Sequence, residues 1–190
     1  MDGEEFRRLR STLLAQVRGM VLELGLGTGL NLSFYPATVT QLHTVDPAAL
    51  LPSRVAARCT HRPFPVYIQQ TTAERLPHAD RSFDYVVSTW TLCTIPDPLE
   101  AIREVGRVLK PTGLFLFLEH GRSDDPVTAK WQNRLNPIQN RVGCGCNLNR
   151  SIDHLITDAG LTITTLDRFR MEHVPRVGGE MYRGSARRSD

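Results

Sequence analysis

Glu23 stands two residues before Gly25, and glycine recurs at Gly27 and Gly29. Glycine tolerates positive φ and lets the backbone approach a ligand with no Cβ in the way. Turns that hold a pyrophosphate space their glycines G-x-G-x-x-G and rest the anion on a helix N-terminus. Here the spacing is G-x-G-x-G, and the preceding acid would repel a pyrophosphate but suits a cationic ligand. Asp46 follows 21 positions after Gly25. An acid near that separation, at a strand end, can accept hydrogen bonds from both hydroxyls of a ribose. Pro47 and Ala48 could then lie against the attached base. The alternatives are a glycine turn with no ligand and ordinary Asp-Pro turn chemistry.

Three other groups could do chemistry. Glu119-His120 ends an apolar run, and histidine is the side chain best suited to take a proton near neutral pH. Thr89, Trp90 and Cys93 follow another such run and would line the same edge of a sheet. For Trp90 and Cys93 the alternative is core packing, and for His120 a satisfied surface histidine. Cys144-x-Cys146 has the look of a metal or redox pair, but no further Cys or His stands at a matching spacing. We therefore expect a loop over the substrate there, with Trp131 on a short helix beside it, and no metal.

The elements that must position these residues are short and alternate. Apolar runs predict strands at Met20–Leu24, Val39–Val45, Val66–Gln70, Ser82–Val87 and Leu114–Leu118, then Leu161–Arg170 and Met181–Ala186. Helical spacing predicts helices over 4–18, Leu30–Tyr35, Leu50–Cys59, Leu99–Leu109 and Ser151–Ala159, with Gly160 as a C-cap. Lys110–Gly113 reads as a turn. The first helix packs its Phe6, Leu9 and Leu13 stripe on the sheet and leaves Arg7, Arg8 and Arg10 off it. Such alternation is that of a doubly wound α/β domain, which binds ligands outside the carboxyl ends of its strands.

The 190 residues suit one domain with a real core. A net charge of +3 is too small to argue for nucleic acid, and Arg183, Arg187 and Arg188 read as a solvated tail. No apolar run approaches the roughly 18 residues of a membrane helix, and no signal peptide opens the chain. Four cysteines make no disulfide framework at this size, so a reducing cytoplasm is expected.

Several ordered motifs resemble those of class I S-adenosylmethionine (SAM)-dependent methyltransferases, of the ubiquinone/menaquinone type. The Glu23–Gly29 stretch resembles their first motif. Thr71-Thr72-Ala73-Glu74-Arg75-Leu76-Pro77 resembles their "(G)DAE-x-LP" turn, with Thr72 at the place of the Asp. Phe83-Asp84 matches the "FD" that opens strand four, and "REVGRVLKPTG" resembles the structural "R-V-L-K/R-P-G-G" that follows. A narrower resemblance runs through Phe34-Tyr35-Pro36, Asp46-Pro47, Thr89–Ile95, Glu119-His120, Trp131-Gln132 and Gly145–Arg150. It is to the methyltransferase-like thiol S-methyltransferases of animals and their bacterial relatives.

The resemblance implies a Rossmann-like, mostly parallel seven-stranded sheet with an antiparallel last strand between strands five and six. It implies SAM as cofactor, held by Glu23, Gly25, Gly27, Gly29, Asp46, Pro47, Thr72, Ala73, Glu74 and Thr89. Trp90, Cys93, His120 and Trp131 would line the acceptor, with His120 as base and Glu119 beside it. Thr72 can still accept one hydrogen bond from an adenine, and Ala73 can offer its N–H. The thiol enzymes carry a hydrophobic N-terminal anchor, and this chain opens without one, so no integral membrane segment is expected; class I methyltransferases usually carry more chain before the first motif, which implies a less covered pocket here. The acceptor is a small molecule: a thiol by the narrower resemblance, otherwise an amine, a lipid head group or a quinol. A SAM-binding regulatory protein without catalysis is the alternative of another class. The oligomeric state, monomer or homodimer, stays open.

Overall fold

A computed structural model describes residues 3–48, 52–60 and 62–189, without the side chains of 52–54 and 56. The described elements run α1 (Glu4–Leu14), β1 (Gly19–Leu24), β2 (Val39–Val45), α2 (Pro52–Cys59), β3 (Val66–Gln69), β4 (Phe83–Thr89) and α3 (Pro98–Val108). They continue β5 (Leu109–His120), α4 (Pro126–Val142), α5 (Ile152–Asp158), β6 (Leu161–Arg170) and β7 (Glu180–Arg188). Seven strands form one sheet in the order β3-β2-β1-β4-β5-β7-β6. The first five of that order are parallel, while β7 pairs antiparallel with both β5 and β6. The class I methyltransferase topology expected from the motifs is the one observed.

Alternation along the strands feeds two cores. Leu22 and Leu24 of β1 pack with Ile102 and Val105 of α3 and Ile156 of α5. Val21 turns to the other face, against Leu9, Leu13 and Leu14 of α1. Each such buried side chain contributes about 1.5–3 kcal/mol relative to leaving it in water. The chain winds outward from β1 through β2 to β3, then crosses back to β4. The crevice opens between β1 and β4, at the carboxyl ends of the strands.

Several boundaries differ from the sequence reading. Helix α1 stops at Leu14 rather than 18, since the chain must turn into β1 through Gly19 at φ 71°. The segment after the glycine turn is a 3-10 helix over Leu30–Phe34, ended by Pro36. The expected start of the second helix at Leu50 lies outside the described residues. Lys110–Gly113 is extended, not a turn: Phe83 pairs with Leu109 and Tyr85 with Leu114, so the intervening residues bulge out of the ladder. A Cβ on Gly113 would sit 3.0 Å from the Phe83 carbonyl oxygen.

The largest difference is α4, expected as a short helix and observed as 17 residues. Asp125 caps its start by accepting from the Thr128 N–H at 3.0 Å, and Pro126 occupies the first turn. Its continuation through Pro137 breaks the usual stop rule. Val127, Trp131, Ile138 and Val142 remain on its outer face. No helix among the described residues is long and apolar enough to cross a membrane.

Candidate functional site

A cavity of about 510 Å³ lies at the carboxyl ends of β1, β2 and β4. Its floor is the glycine turn. The Gly25 N–H donates to the Val45 carbonyl at 2.8 Å, tying the turn to β2. Gly25, Gly27 and Gly29 all hold positive φ, between 54° and 73°. A Cβ on Gly25 would meet the Thr91 side chain at 2.5 Å, so this glycine lets two loops touch. A Cβ on Gly27 would meet nothing within 4 Å, which leaves open space above its backbone for a ligand. Gly29 is not part of the wall; a Cβ there would press on Leu32 Cδ1 at 2.9 Å, so its work is to close the turn.

Asp46 is buried at the end of β2. One carboxylate oxygen accepts from the Gly27 N–H at 2.8 Å and the other from the Ala48 N–H at 2.9 Å. Each oxygen keeps a lone pair, and Asp46 stays on the cavity wall with Pro47 and Ala48.

Glu23 is fully buried and lines the cavity floor. Its oxygens accept from Asn31 Nδ2 at 2.8 Å and from the Tyr35 hydroxyl at 3.0 Å. Burial pushes its carboxyl up to about 7, and those two donors hold it from rising further. Asn31 Nδ2 also donates to Thr89 Oγ1 at 2.9 Å, while its Oδ1 is buried without a hydrogen-bond partner. A buried carbonyl oxygen with nothing to accept, on a cavity wall beside a carboxyl, suits a ligand ammonium group. Asn31 was missed in the sequence, where it is one polar residue in a short apolar helix; Tyr35 was read only as part of a motif.

Arg10 was read as lying off the apolar stripe, yet it is 4 % exposed and lines the cavity, its guanidinium 4.6 Å from the Trp90 ring centre. Helix α1 turns it inward over the sheet edge. Thr72, Ala73 and Glu74 line the wall from the β3 side, and Glu74 accepts from the Asp97 N–H at 3.3 Å, tying that loop to the start of α3. These features fit SAM: open space at Gly27 and a carboxylate at Asp46 for the nucleoside, an acceptor pair at Glu23 and Asn31 for the ammonium, and Arg10 for a carboxylate.

The acceptor end is built differently. Trp90 sits in the left-handed region at φ 51°, with its ring 5.3 Å from that of Phe6, and lines the cavity with Ile95 and Pro96. Glu119 holds this kink. It is fully buried and accepts from Ser88 Oγ at 2.7 Å and from the Thr91 N–H at 2.9 Å. Burial raises its carboxyl to about 7. Glu119 is therefore a positioning residue for the Thr89–Cys93 turn, sealed from any acceptor, rather than the reacting partner expected beside His120.

His120 is off the wall of this cavity, and its Nε2 contacts Cys146 Sγ at 3.2 Å. Cys93 is likewise off that wall and buried. Trp131, expected to line the acceptor, is 51 % exposed on the outer face of α4, where it meets the Arg134 guanidinium. Cys144, left without a role in the sequence, does line the cavity.

Known proteins share this architecture. The family model described as a methyltransferase domain matches residues 22–117. Thiol S-methyltransferase TMT1B of Rattus norvegicus is 37 % identical over 134 residues, 68 % of this chain and 54 % of that protein. The chain thus spans about half the length of this relative. The crystal structure of YcgJ from Bacillus subtilis superposes with a TM-score of 0.72 at 19 % identity, over 99 % of this chain and 100 % of that one. The [4+2]-cyclase SpnF does so equally well, at 0.72 and 18 %, over 98 % of this chain and 81 % of that one. A shared fold is therefore no guide to chemistry, which has to be argued from the site. The matched residues carry the glycine turn, Asp46 and the Thr89 edge of the cavity, and this chain belongs to the methyltransferase domain family, enzymes of the SAM-dependent, class I fold.

Proposed function

We propose that this chain transfers the methyl group of SAM to a small alkyl thiol. The observation that carries the reading is the cavity, polar and acid-lined from Gly27 and Asp46 to Glu23 and apolar at Trp90, Ile95 and Pro96. SAM supplies a methyl whose bond to the sulfonium breaks as the acceptor's lone pair forms the new bond, leaving S-adenosylhomocysteine. The chain contributes alignment and water exclusion, worth up to about 7–11 kcal/mol in well-oriented reactions. Gly27 and Asp46 orient the nucleoside, Glu23 through Asn31 holds the ammonium, and Arg10 faces the carboxylate. The Trp90 wall excludes water from the acceptor.

A thiol suits this end because its ordinary pKa near 8.5 leaves a usable thiolate fraction at neutral pH. A hydroxyl or carbon acceptor would need a strong base facing the cavity, and the buried, occupied Glu119 cannot supply one. The name of the rat relative supports the same acceptor class.

The test begins with calorimetric titration of SAM and S-adenosylhomocysteine into the wild type and Asp46→Ala. Micromolar binding that the substitution abolishes is expected. The wild type should then methylate ethanethiol from SAM, read as the S-methyl product. Failure of a folded wild type to bind either nucleoside would end the enzymatic reading. Binding of both with methylation of amines or quinols but no thiol would end the thiol reading alone.

A further inference from the structure

Cys93, His120 and Cys146 lie 27 and 26 positions apart in sequence, beyond any local metal-binding spacing. The fold brings the two sulfurs and a ring nitrogen of His120 within 4.8 Å of one another. Cys93 precedes Thr94, and Cys146 follows Cys144 by two residues; both Thr94 and Cys144 line the cavity beside the glycine turn. The three ligand residues are not themselves on that wall; they lie behind it, next in sequence to residues that line its acceptor end.

We propose that Cys93, His120 and Cys146 form a three-ligand site for a thiophilic divalent cation of the zinc type, with its fourth position open to the thiol acceptor. The inference rests on the thiol reading above. Zinc takes sulfur at about 2.3 Å and imidazole nitrogen at about 2.0–2.1 Å in tetrahedral geometry, so its ligand atoms stand roughly 3.5–3.8 Å apart. The observed spread, from 3.2 Å for Cys146–His120 to no more than 4.8 Å, needs only side-chain adjustment to reach that geometry. Two cysteines, one histidine and an open place are a donor set of catalytic zinc sites.

The surroundings hold these ligands in place. The Asn147 side-chain amide and backbone N–H both donate to the Cys93 carbonyl, at 3.0 and 2.9 Å, joining the two cysteine segments. Asn136 of α4 donates to Asn147 Oδ1 at 3.1 Å and accepts from the Leu148 N–H at 2.7 Å. Arg150 donates to the Leu92 and Ile95 carbonyls on either side of Cys93. His120 Nε2 is the ring atom at the Cys146 sulfur, while its Nδ1 takes no part in that contact.

Binding is a proton-for-metal exchange with no change of oxidation state. The Cys93 and Cys146 thiols each lose their proton to solvent as two metal–sulfur bonds form. Two thiolates balance the dication. A thiol taking the fourth position loses its own proton to solvent as its sulfur bonds the metal, since a coordinating thiol is deprotonated outright. That would provide the activation that Glu119, sealed under the site, does not supply.

The experiment titrates Co²⁺ into the metal-free, reduced full chain and reads thiolate-to-cobalt charge-transfer absorption. One equivalent is expected to bind, to be displaced by Zn²⁺, and to change its spectrum when ethanethiol is added. Cys146→Ser and His120→Asn, both at half-buried positions, should each weaken Co²⁺ binding by more than about 100-fold, beyond the 10–100-fold typical of outer-shell changes. Cys59→Ser on α2 should leave the absorption unchanged. Calorimetric SAM binding by each variant confirms its fold without involving the metal. The proposal is overturned if a wild type that binds SAM takes up no stoichiometric Co²⁺. It is overturned equally if Cys146→Ser keeps the charge-transfer band, or if the bound cobalt is blind to ethanethiol. The thiol reading fails separately, if the cobalt results hold and ethanethiol is still not methylated.

Discussion

The two ends of the cavity are made from different kinds of sequence. At the cofactor end the parts are local: a strand, a glycine turn and one acid on the neighbouring strand. Before any ligand arrives, the Gly25 N–H donates to the Val45 carbonyl and the Gly27 N–H to the Asp46 carboxylate, each at 2.8 Å. At the acceptor end the parts come from the end of β4, the end of β5 and the loop after α4, and side chains hold them together. Glu119 fastens the first two, and Asn136, Asn147 and Arg150 fasten the third. Backbone geometry repeats wherever the strand–turn unit occurs. Side-chain clasps are specific to one chain, so the acceptor end is where chemistry can differ on a common fold.

Removing Asp46 attacks the cofactor end most directly. Asp46→Ala loses two charged hydrogen bonds, and SAM affinity should fall by about 3 kcal/mol, roughly 100-fold, in calorimetry. Persistence of wild-type affinity would mean that the ribose is held elsewhere.

Glu23 sharpens the contrast through pH. Its carboxyl sits at about 7 in the folded chain against 4.5 for the free group. Between those values the folded chain keeps a proton that the unfolded chain has released, so this group's contribution to stability falls as pH rises from 4.5 to 7. Glu23→Gln removes that dependence. Its stability relative to wild type should improve by up to about 3 kcal/mol between pH 4.5 and pH 8, read from urea unfolding.

The glycines separate turn from ligand. Gly25→Ala drives a Cβ into Thr91 and should cost about 1–3 kcal/mol of stability, visible as a lowered unfolding midpoint. Gly27→Ala meets no protein atom, so it should cost only the roughly 1–2 kcal/mol of a left-handed alanine while weakening SAM binding the more of the two. Equal effects on binding would erase the distinction.

The smallest effect is expected at Trp131. With its ring half exposed on α4, Trp131→Ala should change stability by about 0.5 kcal/mol or less and leave SAM affinity alone. A large loss of thiol turnover would return this residue to the acceptor site.

Much of the fold was legible because period-two apolar runs mark strands whatever surrounds them. Val39–Val45 and Leu161–Arg170 came out with their observed bounds. Helix α4 did not, because two of its three buried residues are polar: Thr128 and Gln132 are buried beside Ala129, with Gln132 donating to the Gly121 and Val177 carbonyls at 2.9 and 3.0 Å. No hydrophobic period announces a helix that packs through an amide. Asn31 and Arg10 escaped for a related reason. A polar residue beside an apolar stripe looks solvated until the sheet edge is in place.

The amino-acid sequence by itself determined the parts that depend on near neighbours: the strands, the positive-φ glycines at 25, 27 and 29, and the acid that meets them at position 46. Only the tertiary structure decided that Glu119 is sealed under the site, that Trp131 faces outward, and that Cys93, His120 and Cys146 stand together. Those outcomes depend on which strand ends adjoin and on how a loop returns over them. Nothing in local spacing encodes that distance, because loop closure costs only slightly more with each added residue and leaves the sequence separation of contacting groups nearly free.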